Sequence, residues 1–182
     1  MWPRTTESGF SLVEVLIATT VFAVAVGGLA DVCAVATRAN ANAKATSVAS
    51  LMAAQKMEQL RALAWGFDAF ETPLSDTTTD ISVTPERPGT GAGLSPSPAG
   101  ALAQNTAGYC DFLDATGQPL GSGTTPVEGA VFVRRWSVEP LPANPANTLV
   151  LQVTVTRTLR GGERGRPLDD ARVVSLKTRK AL

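Results

Sequence analysis

One charged residue interrupts a long apolar stretch near the start of the chain, and its chemistry needs an explanation. Glu14 is the only charged residue between Phe10 and Ala30, a stretch of the length that an α-helix needs to cross a bilayer. An ionised carboxylate in hydrocarbon costs at least about 2.5–3.5 kcal/mol. We therefore expect Glu14 either to have a cationic partner or to reach water at the membrane surface.

Residues of the types that most catalytic and metal sites require are scarce. The sequence has no His, and 16 basic residues balance 16 acidic ones. Without the commonest general base and metal ligand, the composition argues against an enzyme and predicts no cofactor and no metal site. Four carboxylates lack the spacing of a calcium loop, and we interpret them as residues of solvated turns: Asp76, Asp80, Asp111 and Asp114.

Two further features resemble functional motifs only superficially. Gly89–Gly93 is rich in glycine, but no Lys-Ser or Lys-Thr pair follows it, so we interpret it as a loop and not as a phosphate site. Cys33 and Cys110 are too few and too far apart for a disulfide framework or a metal site. A single bond between these two cysteines is an alternative that the sequence leaves open.

The element that positions Glu14 is one long helix. No proline occurs between the apolar stretch and Pro73, and Gly66 is a plausible end of the helix. In its second half, apolar residues recur at intervals of three and four, which predicts one face packed on a domain. These residues are Ala49, Met52, Ala53, Met57, Leu60 and Ala64.

Two adjacent glycines, Gly27 and Gly28, are the weak point of this helix, because each costs about 1 kcal/mol relative to alanine. We expect a bend or local melting there. The alternative is that the small residues allow close packing of one helix against another.

Beyond the helix, short alternating segments separated by Pro, Gly, Ser and Thr predict an antiparallel sheet covered on one face by the second half of the helix. The fold class is therefore α+β. The three aromatic residues that follow the helix are predicted to pack in the core: Trp65, Phe67 and Phe70. The alternative is that they form an exposed aromatic contact with another subunit. The predicted strands are Asp80–Thr84, Tyr109–Leu113, Ala130–Val138, Leu149–Thr156 and Arg172–Thr178, with a loop over 85–100.

The segment from Gly9 to Ala18, GFSLVEVLIA, resembles the prepilin processing motif of type IV pilins and type II secretion pseudopilins. Its features are a short polar leader, Gly before an aromatic residue, Glu four residues after it, and a long apolar helix. The resemblance implies a type IV pilin-like fold, cleavage between Gly9 and Phe10 by a prepilin peptidase, and N-methylation of Phe10. It also implies that Glu14 pairs with the amino terminus of a neighbouring subunit. Ser8 departs from the Lys or Arg that many members carry there.

This resemblance predicts a domain organisation and a location. Residues 1–9 form the cleaved leader, 10–30 the transmembrane and filament-core helix, 31–65 its amphipathic second half, and 66–182 an extracytoplasmic β-sheet domain. The chain is expected to sit in the bacterial inner membrane before it joins a pilus or pseudopilus. Its partners are then the prepilin peptidase, the membrane, and other pilins that contact its N-terminal helix.

A weaker resemblance to minor pilins of the PilV type, over Phe132–Trp136, Asn144-Pro145 and Val174–Arg179, predicts a minor pilin. The alternatives are a minor pseudopilin of type II secretion and a DNA-binding competence pilin. A basic C-terminal cluster, with Trp136 or Tyr109 as a stacking surface, would serve the latter, although such charge also keeps a sheet edge soluble. An uncleaved single-pass anchor that carries a periplasmic binding domain is a further alternative. The basic cluster comprises Arg157, Arg160, Arg164, Arg166, Arg172, Lys177, Arg179 and Lys180.

Overall fold

The order of elements is one long helix followed by short strands. The computed structural model describes residues 9–76, 79–80, 87–88, 92–158 and 171–180. The helix α1 covers Leu12–Ala62, and the strands are β1 (Trp65–Phe67), β2 (Pro73–Ser75), β3 (Thr79–Asp80), β4 (Arg87–Pro88), β5 (Cys110–Leu113), β6 (Pro119–Ser122), β7 (Phe132–Pro140), β8 (Thr148–Arg157) and β9 (Ala171–Thr178). This confirms the α+β class and is consistent with a type IV pilin fold.

The chain divides into two compact units, Met1–Ala43 and Lys44–Leu182, and we call the second the sheet unit. In the first unit, the part of α1 from Leu12 to Ala43 is exposed along its whole length. Its most apolar window of 18 residues has a mean hydropathy of 2.2, so by length and composition this helix is able to cross a membrane.

The two glycines of the first unit lie inside regular helix. α1 continues through Gly27 and Gly28, so the structure shows no local melting at that point. A Cβ atom added at either glycine would meet nothing within 4 Å. Within the described chain, neither glycine therefore packs closely against another helix, which was the alternative to a bend.

In the sheet unit, five antiparallel strands are arranged in the order β6-β5-β7-β8-β9. The strands predicted at Tyr109–Leu113, Ala130–Val138, Leu149–Thr156 and Arg172–Thr178 correspond to β5, β7, β8 and β9, with ends that shift by at most two residues. Two short pairs stand apart from this sheet, β1 with β2 and β3 with β4. Of the strand predicted at Asp80–Thr84, only Asp80 is described. Of the loop predicted over 85–100, the structure describes residues 87–88, which form β4, and residues 92–100.

The second half of α1 covers one face of the sheet, as its periodicity predicted. Its buried apolar side chains pack with those of the sheet in one core that includes Leu113, Trp136 and Val153. The prediction for Ala64 was wrong, because α1 ends at Ala62 and Leu63 turns inward instead. The predicted face is otherwise confirmed at Ala49, Met52, Ala53, Met57 and Leu60.

The hairpin formed by β1 and β2 follows the helix directly, so Gly66 lies in a strand and does not end the helix. The prediction of core packing is confirmed for Trp65, which is buried, while Phe67 is half-buried. It is wrong for Phe70, which is 88% exposed, because the residue lies in the turn between the two strands. The Arg179 guanidinium stacks 4.5 Å from the Trp65 ring centre and donates to the Gly66 carbonyl at 3.0 Å.

Candidate functional site

The predicted processing site lies where the helix begins. Gly9 and Phe10 precede α1, and both are exposed. The Val15 amide donates to the Ser11 carbonyl at 3.2 Å, which continues the helical bonding back to Ser11. The two residues on either side of the predicted cleavage site therefore lie outside the regular helix and are exposed. Residues 1–8 of the predicted leader lie outside the described part of the chain.

Glu14 lies in the first turn of α1, where the exposed amide groups of a helix favour negative charge. Its side chain borders a shallow recess on one side of the helix, together with Phe10, Ala18 and Phe22. No described residue forms a salt bridge or hydrogen bond with the Glu14 carboxylate. Within the described chain, Glu14 therefore lacks the partner that an ionised group needs in hydrocarbon.

A scan against protein-family models matches this region. Residues 4–30 match the model described as the prokaryotic N-terminal methylation motif. This is the pilin-type prepilin signal. It supports a type IV pilin-like or pseudopilin-like protein, a class of structural subunits that a prepilin peptidase processes and that assemble with other pilins. Searches of curated proteins and of solved structures each found no match.

The prepilin signal and the long apolar helix together fit anchoring in the inner membrane followed by incorporation into a pilus. The match ends at residue 30, within the first half of α1, and covers none of the sheet unit, so the specific likeness to PilV-type minor pilins receives no support from it. Apart from Cys33, the remaining candidate residues belong to the sheet unit.

The largest departure from the sequence interpretation is a buried ionic cluster of Lys56, Asp111 and Arg134, which we call the ion triad. Arg134 binds the Asp111 carboxylate through two bonds, Nε to Oδ1 at 3.0 Å and Nη2 to Oδ2 at 2.6 Å. The Lys56 Nζ lies 3.9 Å from Asp111 Oδ2 and 3.7 Å from the centre of the Trp136 ring. Asp111 is 0% exposed, so its interpretation as a residue of a solvated turn was wrong.

The ion triad joins the helix to the sheet. Arg134 Nη1 donates to the Met52 carbonyl of α1 at 3.1 Å, and Asp111 lies opposite Arg134 in the β5–β7 register. One feature of the sequence could have indicated this cluster. Lys56 falls on the apolar helix face between Ala53 and Met57, where a charged residue requires a buried partner.

Asp114 has a simpler role, in the turn between β5 and β6. Asp114 accepts bonds from the Thr116 hydroxyl and amide and from the Gln118 amide, as predicted for a turn. The Thr116 hydroxyl and then the Gln118 amide lower the pKa of Asp114, because they stabilise its ionised form. Among the described residues, no group of His, Cys, Asp and Glu side chains is arranged to hold a metal ion.

The two cysteines are both free thiols, Cys33 exposed and Cys110 buried, so the structure does not contain the bond that the sequence left open. Burial raises the pKa of Cys110 to about 11, the positive charge of Arg135 opposes this shift, and the negative charge of Asp111 adds to it. The Cys110 thiol contacts the Asn105 side-chain oxygen at 3.6 Å. Cys110 is therefore a structural residue and not a nucleophile.

This environment predicts different reactivities for the two thiols. At pH 8 about one Cys110 side chain in a thousand is ionised, and the side chain is also shielded from reagent. We expect iodoacetamide to label Cys33 in the folded chain and to leave Cys110 unmodified, as measured by mass spectrometry of peptides. The Cys33→Ser variant should then show almost no labelling until it is denatured. Comparable labelling of both cysteines in the folded chain would contradict the buried position of Cys110.

The aromatic residues proposed as a DNA-stacking surface are not available for that role. Tyr109 and Trp136 are both buried. The Tyr109 hydroxyl lies within hydrogen-bonding distance of the Ser95 carbonyl, 2.9 Å, and the Pro96 carbonyl, 3.0 Å, and burial raises the pKa of Tyr109. These contacts hold the described part of the predicted 85–100 loop against the sheet.

Several cations of the predicted basic cluster are engaged within the protein. Lys177 donates to the Arg61 carbonyl at the end of α1, and its pKa is lowered first by burial and then by the charge of Arg61. Arg179 binds the Gly66 and Ala146 carbonyls, and Arg172 binds the Gln152 side chain. Arg160, Arg164 and Arg166 lie outside the described residues.

Proposed function

We propose that this chain is a minor pilin, a structural subunit of a type IV pilus with a role in its assembly or priming. In this proposal a prepilin peptidase removes residues 1–9 by cutting between Gly9 and Phe10, and the new amino group of Phe10 is methylated. The prepilin signal over residues 4–30 carries the proposal. The exposed position of Gly9 and Phe10 ahead of the helix supports it, since a peptidase needs access to that bond.

Glu14 then selects the neighbouring subunit. Cleavage creates an amino group at Phe10, about one helical turn from Glu14, and the corresponding amine of an adjacent subunit can approach the same carboxylate. The lack of any partner for Glu14 among the described residues favours a partner from outside the chain. The ion pair fixes the axial register, and the exposed apolar residues of α1 supply the cohesion.

Residues 10–30 cross the inner membrane before assembly, and the sheet domain over 66–182 lies on the extracytoplasmic side. Residues 31–65 form the amphipathic second half of the helix in this arrangement. Gly27 and Gly28 are the proposed position of a bend when the helix leaves lipid and enters the filament, because glycine lowers the cost of departing from helical geometry.

A minor pseudopilin of type II secretion would carry the same signal and the same helix. The genes next to this one separate the two proposals, since a pilus-assembly cluster and a secretion cluster make opposite predictions. Burial of Tyr109 and Trp136 argues against a competence pilin that stacks DNA bases on these rings. Nucleic acid is not among the proposed partners.

Substitution of Gly9 tests the processing step. We expect Gly9→Val to retain the leader, because a branched side chain next to the cleaved bond obstructs the peptidase, whereas the unaltered chain begins at a methylated Phe10. The measurement is the intact mass and the N-terminal peptide of chain purified from membranes. Ser11→Ala, also exposed and next to the site, serves as the control and should be processed normally. An intact leader on the unaltered chain would instead indicate an uncleaved single-pass anchor.

A further inference from the structure

The face of the five-stranded sheet that points away from α1 carries two arginines in one row across three strands. In the register of β7, β8 and β9, Arg135 lies opposite Thr154, and Thr154 lies opposite Arg172. Alternate residues of a strand point to opposite faces, and the neighbouring Trp136 and Val153 belong to the core under α1. Arg135, Thr154 and Arg172 therefore share the outer face, and we call them the arginine row.

The hydroxyl in the middle of the arginine row is buried and unpaired. Thr154 Oγ1 forms no hydrogen bond with any described residue. The same holds for Ser137 Oγ, which lies on the same face two residues after Arg135, and Ser137 is 1% exposed. A buried hydroxyl without a partner is costly, and such groups are usually paired with protein, water or a ligand. Two of them at neighbouring positions favour an acceptor from outside the chain.

The two guanidinium groups are bonded only to neutral oxygens within the described chain. Arg135 is half-buried, and it donates to Asn105 Oδ1 at 2.9 Å and to Thr156 Oγ1 at 3.2 Å. Arg172 donates through Nη2 to the Gln152 side-chain oxygen. Neither arginine forms an ion pair with a described residue. A guanidinium has five N–H donors, so each arginine keeps donors for a further acceptor.

The surroundings of the arginine row are positively charged. Among the described residues of the five strands, the one carboxylate on the outer face is Glu139, four residues after Arg135 in β7 and so about 13 Å away along the strand. The backbones of Arg135 and Arg172 are two strand spacings apart, about 10 Å. A half-buried cation without a counter-charge is costly, and an anion bound between the two arginines offsets that cost.

The directions of the donors indicate which anion fits. One guanidinium lies on each side of the arginine row, and the Thr154 hydroxyl lies between them on the sheet. A single guanidinium in a bidentate pair satisfies a planar carboxylate, whereas the oxygens of a phosphate point in several directions and accept from several donors. The outward residues of β7, β8 and β9 include no aromatic side chain on which a nucleic acid base stacks.

We propose that Arg135, Thr154 and Arg172 form a binding site for one phosphate group, either free or carried by a small molecule such as a lipid headgroup. The phosphate supplies the negative charge that the two arginines lack and accepts a hydrogen bond from the Thr154 hydroxyl. The site is independent of leader processing and of pilus assembly, because all three residues belong to the sheet unit.

Titration calorimetry of the full chain in uncharged detergent micelles tests the site, with inorganic phosphate as the probe and ionic strength held constant with chloride. We expect saturable binding with one phosphate per chain, and at least about tenfold weaker binding of acetate. Arg172→Gln should weaken phosphate binding at least about tenfold, because it removes a charged donor from an exposed position. The matched control is Arg38→Gln, an exposed arginine of α1, and it should leave phosphate binding unchanged.

Thr154→Val separates ligand binding from a structural role of the hydroxyl. The substitution keeps the shape of the side chain and removes an unpaired buried group, so the urea midpoint of the phosphate-free chain should rise. Phosphate binding should weaken about three- to tenfold, because one donor is lost. Stability and affinity then change in opposite directions. A higher urea midpoint with unchanged phosphate affinity would show that Thr154 takes no part in binding and would overturn the proposed site.

The remaining outcomes either overturn the site or identify its ligand. Absence of saturable phosphate binding at constant ionic strength would exclude the site, and equal weakening by Arg172→Gln and Arg38→Gln would show non-specific attraction. Equal affinity for acetate and phosphate would refute the preference for a tetrahedral anion. Tighter binding of glycerol 3-phosphate than of inorganic phosphate would support the site and assign it to a lipid headgroup, and the reverse order would support it as a site for free phosphate.

Discussion

Asp111→Ala is expected to lower the free energy of unfolding by about 3–5 kcal/mol, because it removes the carboxylate from between two buried cations. Lys56 and Arg134 are 1% and 4% exposed, so water does not replace the lost negative charge. The measurement is urea denaturation of the full chain in detergent micelles, followed by tryptophan fluorescence. Trp136 reports directly on this region, since its ring lies against the Lys56 ammonium group.

Two comparison variants separate the effect of burial from the effect of charge on the free energy of unfolding. Glu58→Ala removes the exposed ion pair with Arg61, whose atoms are 2.9 Å apart, and should cost less than about 1 kcal/mol. Replacement of the whole ion triad by apolar residues, with Lys56→Met, Asp111→Leu and Arg134→Met combined, should be far less damaging than Asp111→Ala alone. A loss for Asp111→Ala no greater than that for Glu58→Ala would refute the importance of the ion triad.

Glu14→Ala is expected to leave membrane insertion intact and to reduce incorporation into the pilus roughly a hundredfold, the effect of losing a buried ion pair of about 3 kcal/mol. Insertion is preserved because the substitution makes the apolar stretch more hydrophobic. In the proposed pairing, assembly suffers because the amino terminus of the neighbouring subunit loses the carboxylate that it would bind. Immunoblots of membrane fractions and of sheared filament fractions measure the two effects separately.

Asp31→Ala is the matched control for Glu14→Ala. Asp31 is also an exposed carboxylate of α1, but it lies at the far end of the apolar stretch. We expect its removal to leave incorporation near normal. If Glu14→Ala entered filaments as well as Asp31→Ala did, Glu14 would have no role in pairing, and contact with water at the membrane surface would explain its position.

The features that the sequence predicted are those that depend on local pattern. The helix and the strands β5, β7, β8 and β9 follow from periodicity, because a buried face repeats every three to four residues in a helix and every second residue in a strand. The prepilin signal could also be recognised from the sequence, because its residues are contiguous. The short strands β1, β2 and β6 were missed because they contain Gly or Pro and depend on pairing partners for their conformation.

The candidate features of the sheet unit needed three-dimensional information. Asp111 and Arg134 are 23 residues apart and face each other only because β7 pairs with β5 and not with β6, which precedes it in the chain. Phe70 was assigned to the core on hydrophobicity alone, and no local pattern indicated that the Asp68 carboxylate would hold the turn outward through bonds from the Phe70 and Thr72 amides. Sequence patterns report which residues prefer burial, whereas register and turn geometry decide which of them achieve it.

The bonds from the last strand back to the helix have a consequence for the kinetics of folding. Lys177 and Arg179 bind carbonyl groups at the end of α1 and in β1, across sequence separations of 116 and 113 residues. Contacts of such high order form slowly, because a long loop must close before they contribute any energy. During synthesis, the apolar face of the second half of α1 therefore stays uncovered until a strand more than a hundred residues later in the chain has been made. In that interval the nascent domain is vulnerable to aggregation and is a natural client for a chaperone.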